Sequence, residues 1–122
     1  MKIPAVMSVL IVDDHPSFRA SARRLLEAEG FEVVGEAADG HAAIAAAQEL
    51  QPELVLLDVQ LPDLDGFEVA TRLAALGLPC AVILTSSRNP AEYGQLDAAT
   101  SVRGFVPKAE LSGAVLTDLL AP

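Results

Sequence analysis

Residues 54–66 read Leu54-Val55-Leu56-Leu57-Asp58-Val59-Gln60-Leu61-Pro62-Asp63-Leu64-Asp65-Gly66. Leu54 to Leu57 run without a polar break, as a strand buried on both faces does. The run stops at one carboxylate, Asp58, and Pro62, Asp63, Asp65 and Gly66 set turns rather than continue a strand. This stretch therefore carries a buried strand to its end and presents an acid above the sheet. Taken alone, Asp58 is equally well explained as a loop cap, so the flanking sequence has to decide.

Upstream, 9–12 is a short apolar β-rich run ending at Asp13-Asp14, and Pro16 suits the first turn of a helix. Phe18, Ala22, Leu25 and Leu26 follow at helical spacing and Gly30 closes that helix. Arg19, Arg23 and Arg24 fall mostly on its outer side, as a solvated face. Residues 31–37 form a second strand centred on Val33 and Val34. Asp39-Gly40 then turns the chain into an alanine-rich helix with Ile44, Ala47 and Leu50 on one stripe, ended by Pro52.

Downstream, Phe67, Ala70, Leu73 and Leu76 mark a third helix, stopped at Gly77. Residues 81–84 are a fourth buried strand ending at Thr85-Ser86-Ser87. A short, loosely held fourth helix is expected at 89–100, opened by Pro90 and interrupted by Gly94, because glycine inside a helix costs about 1 kcal/mol relative to alanine. A fifth strand, 102–106, leads to Pro107-Lys108. A final helix from about Glu110 carries Leu111, Val115 and Leu119 on one face and is weakened by Gly113. Five strands alternating with five helices are the α/β signature of a parallel sheet covered on both faces.

Composition narrows the function. At 122 residues the chain suits one domain, and 52% hydrophobic against 20% charged residues rules out disorder. No apolar run approaches the roughly 18 residues of a membrane span, and the N-terminus lacks the apolar core of a secretory signal. Cys80 is the only cysteine, so no internal disulfide framework forms, which fits a reducing cytosol. Cys80 itself reads as a small buried residue. A formal net charge of −9 argues against direct binding to nucleic acid or anionic lipid.

In an open parallel sheet the strand carboxyl ends share one edge, where ligands bind. Here that edge is expected to gather Asp13 and Asp14 after the first strand, Asp58 after the third, Thr85 after the fourth and Lys108 past the fifth. Each has a local alternative: Asp14 or Thr85 as a helix cap, Lys108 as a solvated cation. Together they point to chemistry. Carboxylates held close must be relieved by protonation or a cation. All-oxygen ligands suit Mg2+. Such an ion would favour an incoming phosphoryl group, with Lys108 neutralising one oxygen and Thr85 donating to another. Asp58 is then placed to attack phosphorus and form an aspartyl phosphate.

At this point the chain resembles the receiver domain of bacterial two-component response regulators. The matching residues are Asp13-Asp14, Asp58, Leu61-Pro62-Asp63-Leu64-Asp65-Gly66, Leu84-Thr85-Ser86 and Gly104-Phe105-Val106-Pro107-Lys108. Val12-Asp13-Asp14-His15-Pro16 is similar to receivers that precede a C-terminal helix-turn-helix domain. The resemblance implies a flavodoxin-like (βα)5 fold with strand order 2-1-3-4-5, a receiver unit over 8–122 and an extension over 1–7. It implies that Asp58 accepts phosphate from a phosphohistidine on a sensor histidine kinase or phosphotransfer protein in the cytoplasm. Asp14, Asp58 and the backbone carbonyl of Gln60 would bind Mg2+ directly, and Asp13 through water. Thr85 and Phe105 would form the switch, with output through the face of the fourth helix, fifth strand and fifth helix, also a candidate homodimer surface. Gln60 and Ser87 match positions that tune phosphate lifetime.

Two departures stand out. Ala109 follows Lys108 where much of the family has proline, so a trans bond is expected there, since cis before a non-proline residue costs roughly 2.5–4 kcal/mol. Ser101 stands where related chains often have glycine. His15 follows the acid pair, where a phosphodonor or metal ligand could stand, but with only distant His41 as a second histidine it reads as a loop residue, and Tyr93 as either an exposed output residue or a helix anchor. A phosphohydrolase working through an aspartyl phosphate would need an acid at position 60, where Gln60 stands, and no P-loop or dinucleotide fingerprint follows the first strand. The remaining alternative is a receiver-like adaptor that binds a protein partner without phosphate. The expected function is a self-phosphorylating switch with no metabolic enzyme activity.

Overall fold

The buried run at the centre of the sequence becomes the centre of the sheet. In this computed structural model, which describes residues 7–87 and 102–120, β3 (Leu54–Asp58) is buried at every position. It lies between β1 (Ser8–Val12) and β4 (Ala81–Ser86). β2 (Glu32–Ala37) and β5 (Val102–Pro107) form the edges, giving a five-stranded parallel sheet of order β2-β1-β3-β4-β5. The flavodoxin-like expectation is met.

Strand alternation sorts the core into two layers. Leu10, Val12, Val55, Leu57, Val82 and Leu84 face α2 (Gly40–Leu50) and α3 (Gly66–Ala75). Val9, Ile11, Leu54, Leu56, Ile83 and Val106 face α1 (Pro16–Ala28) and α4 (Gly113–Leu120). Gly30 and Gly77, at φ 96° and 71°, take the left-handed conformation just beyond α1 and α3. Asp39 and Asp65 accept hydrogen bonds from Ala42 N and Glu68 N at 2.7 Å each, capping α2 and α3.

Several element readings need correction. The inner stripe of α2 is Gly40, Ala43 and Ala47, while Leu50 is 41% exposed. In α3 it is Val69, Ala70 and Leu73, and Leu76 is 48% exposed. Small residues on α2 let the helix lie close to the sheet, which leaves the bulkier ones on the flanks. The fourth strand runs on through Thr85 and Ser86, and the fifth through Pro107. Glu110 belongs to a 3-10 turn (Lys108–Glu110), and α4 begins at Gly113, where Ser112 Oγ accepts from Val115 N at 3.1 Å. The side chain α4 buries completely is Leu116. As expected, α2 ends before Pro52, with Gln51 leaving the helix through the left-handed region (φ 48°, ψ 58°). The fourth expected helix, Tyr93 and Ser101 lie outside the described residues.

Candidate phosphoacceptor and cation site

One further step of strand alternation builds the site. From Val9 and Ile11 it reaches Asp13, from Leu54 and Leu56 it reaches Asp58, from Ile83 it reaches Thr85, and from Val106 it reaches Lys108. The register pairs Asp58 with Thr85, and Val12, just before Asp13, with Leu57. Residues separated by most of the chain thus leave the sheet together at its carboxyl edge.

The contacts agree. Lys108 Nζ lies 2.6 Å from Asp13 Oδ2 and 3.5 Å from Asp58 Oδ2. It also sits 4.6 Å from the centroid of the Phe18 ring, so α1 helps hold the ammonium over the acids. The Lys108–Ala109 bond is trans, as expected, and the lysine still reaches the acids. Gln60 N donates to Asp58 Oδ1 at 3.2 Å. Asp13 is fully buried, Asp58 is 3% exposed, and Asp14 lies at the surface. Asp14, Asp58, Gln60, Ser87 and Lys108 line an open cavity of about 320 Å3.

Burial pushes the Asp58 carboxyl above the usual carboxylate range. The Gln60 amide opposes that shift, the Asp13 charge adds to it, and Lys108 opposes it. Such a group gains from any added positive charge. One ligand atom each from Asp13, Asp14, His15 and Asp58 lies within 4.8 Å of the others. These residues fit a divalent ion in both donor type and crowding of charge, and the carboxylates suit Mg2+.

Thr85 is fully buried, and its Oγ1 has no hydrogen-bond partner among the described residues. A buried hydroxyl left unmatched is costly and calls for an explanation. Phe105 is half-buried and packs on the opposite layer, whose core includes Val82 and Leu84. It does not belong to the acid cluster.

The loop after Asp58 is tightly closed. Gly66 N donates to Val59 O at 2.7 Å, and Gln60 bridges Asp65. A Cβ on Gly66 would meet Asp58 O at 2.6 Å, so only glycine permits this approach. Asp63 ties the loop to α2, accepting from Gly40 N at 2.7 Å, His41 N at 2.9 Å and Leu64 N at 2.8 Å. Loss of water around it raises its pKa, but those amides and the His41 ring hold the carboxyl well below the ordinary range.

His15, read from the sequence as a loop residue with metal ligation the less favoured alternative, turns its ring to the acid pair. Its Nδ1 stands 2.9 Å from Asp13 Oδ1 and 3.1 Å from Asp14 Oδ1. The available signal was an imidazole placed directly after an acid pair at a helix start. Arg19 and Arg23 are not merely solvated, since they pair with Glu36 at 3.1 and 2.7 Å. The Arg23 hydrogen bond, against a smaller cost of burial, holds Glu36 below the ordinary carboxylate range, with Arg19 assisting.

Residues 9–119 match the model of the response regulator receiver domain. The positive transcription regulator BvgA of Bordetella pertussis is 44% identical over 102 residues, 84% of this chain and 49% of the relative. The DNA-binding transcriptional activator EvgA of Escherichia coli is 33% identical over 104 residues, 85% of this chain and 51% of the relative. Among solved structures, the signal receiver domain of NarL from Mycobacterium tuberculosis superposes with a TM-score of 0.83 at 34% identity, covering 98% of this chain and 100% of that one. The chain spans about half the length of these curated relatives.

Proposed function

Because the chain belongs to the response regulator receiver domain family, we propose that it is a phosphoacceptor switch in which Asp58 takes a phosphoryl group from a phosphohistidine. The observation that carries this reading is the meeting of Asp13, Asp58 and Lys108 at one sheet edge, with the ammonium 2.6 and 3.5 Å from the two acids.

In the proposed reaction an Asp58 carboxylate oxygen forms a bond to phosphorus as the donor's phosphorus–nitrogen bond breaks, and the departing imidazole takes a proton. Asp14, Asp58 and the Gln60 carbonyl would hold Mg2+, with Asp13 acting through water. The ion, when bound, supplies positive charge to the transferring phosphoryl oxygens. Lys108 shifts its contact from Asp13 toward the new phosphoryl group. The buried Asp13 keeps the ammonium poised between the two positions. The phosphoryl oxygens also offer Thr85 the acceptor that its hydroxyl lacks. Movement of Thr85 would be passed to Phe105, across the sheet, as a two-state shift of the β5–α4 side.

The family is not one of metabolic enzymes, and the chemistry proposed is confined to the domain's own phosphorylation and dephosphorylation. The partners are a sensor histidine kinase or phosphotransfer protein in the cytoplasm, and a second copy of the chain through the β5–α4 side. The relatives are transcription regulators, so the output we propose is transcription control through an attached or partner domain. Borohydride reduction of the phosphorylated chain, followed by peptide mapping, tests the acceptor directly. Conversion of Asp58 to homoserine is expected, and conversion at Asp14 or Asp13 instead would overturn the assignment.

A further inference from the structure

His15 has no task in the phosphoacceptor reading. It is the N-cap residue of α1, yet its side chain makes no capping hydrogen bond. The ring turns instead to the acid pair, with Nδ1 2.9 Å from Asp13 Oδ1 and 3.1 Å from Asp14 Oδ1. Orientation of Asp13 does not require it, because the His15 amide already donates to the same Oδ1 at 2.8 Å.

The two oxygens of Asp13 are divided between neighbours, with Oδ2 facing Lys108 and Oδ1 facing His15. The imidazole therefore stands on the side of the cluster that the ammonium does not occupy. Its side chain is 64% exposed, so it can exchange a carboxylate contact for another partner without disturbing the core. The nitrogen also falls inside the group of donor atoms spaced within 4.8 Å of one another. Beside the cluster, the fully buried Thr85 hydroxyl lacks a partner among the described residues, a second sign that a ligand completes this edge.

We propose that His15 Nδ1 is a direct ligand of the divalent cation at this site, giving it a mixed nitrogen and oxygen donor set that favours later first-row transition ions such as Ni2+ over Mg2+. Mg2+ binds through oxygen and dehydrates reluctantly, whereas imidazole nitrogen suits the later first-row ions. The inference rests on the reading of the acid cluster as the cation site, and it adds selectivity to that site.

Electron spin echo spectroscopy of Mn2+ bound to the 122-residue chain reads the ligand directly. Modulation from a coordinated 14N nucleus is expected. It should vanish in His15→Asn, which keeps a good helix N-cap and a polar group beside the acids. The ratio of Ni2+ to Mg2+ affinity should fall about tenfold in the same variant. Bound Mn2+ without 14N modulation, or modulation that survives in His15→Asn, overturns the inference and leaves the phosphoacceptor reading standing. A chain that binds neither Mn2+ nor Mg2+ overturns both.

Discussion

Lys108 stands closer to Asp13 than to Asp58: its Nζ lies 2.6 Å from the first carboxylate and 3.5 Å from the second. Asp13 is fully buried, and an ammonium beside it offsets a charge that water does not reach. The residue proposed to meet the phosphoryl group is therefore also a stabilising partner of the resting state.

Replacing that ammonium with an apolar chain tests the pairing. Lys108→Met keeps packing against Phe18 but leaves a buried carboxylate uncompensated, a change that typically costs about 3–5 kcal/mol. Urea denaturation without divalent ions should show a loss of that order, and added Mg2+ should recover part of it. A loss below about 1 kcal/mol would place the pair among surface ion pairs.

Asp58→Asn should have the opposite effect. Burial and the Asp13 charge raise the Asp58 pKa in the fold, so its ionised form is disfavoured there relative to the unfolded chain. This penalty is fully present above the raised folded value. It fades as pH falls through that value and is gone below the unfolded value of about 3.9. In Mg2+-free buffer the variant should melt higher than the parent at about pH 7, and that advantage should vanish near about pH 3. An equal advantage at both would contradict the assigned cause.

Asp63 works with the reverse sign. Its carboxyl is held low by the amides of Gly40, His41 and Leu64, despite the cost of removing it from water. The stability it adds is present above the unfolded carboxylate value and is lost as pH falls through the depressed folded one. Asp63→Asn should therefore melt below the parent at neutral pH, and the two curves should converge in acid. Parallel curves would show that the amide contacts do not depend on charge.

Gly66→Ala probes the turn beneath the acceptor. The added Cβ would meet Asp58 O at 2.6 Å and Val59 Cα at 2.9 Å, so backbone must move. Overpacking of this kind costs about 1–3 kcal/mol. A Mg2+ titration should show weaker binding as well, because the displaced backbone carries Asp58. Unchanged stability and binding would mean that the loop is looser than its contacts indicate.

Much of this was legible in the sequence because burial and chain direction are written locally. The unbroken run Leu54 to Leu57 fixed a central strand, and the acids after the first and third strands marked the working edge. Side-chain identity was less helpful where size competes with position. Ile44 and Leu50 looked like the inner face of α2, yet Gly40, Ala43 and Ala47 lie inside because a close helix needs small residues. Ser112 was available as the cap of α4, but Leu111 extended the apolar pattern backward and hid the break. The position of His15 after the acid pair left metal ligation open, but spacing alone did not decide it against a loop role, since the direction of an exposed imidazole depends on which neighbouring carboxylates are left to meet it.

Weighing the intact chain after incubation with acetyl phosphate and Mg2+ tests the central claim most directly. One added phosphoryl group is expected, absent with EDTA and absent in Asp58→Asn. Equal labelling of Asp58→Asn, or no labelling of the parent chain with Mg2+ present, would contradict the account.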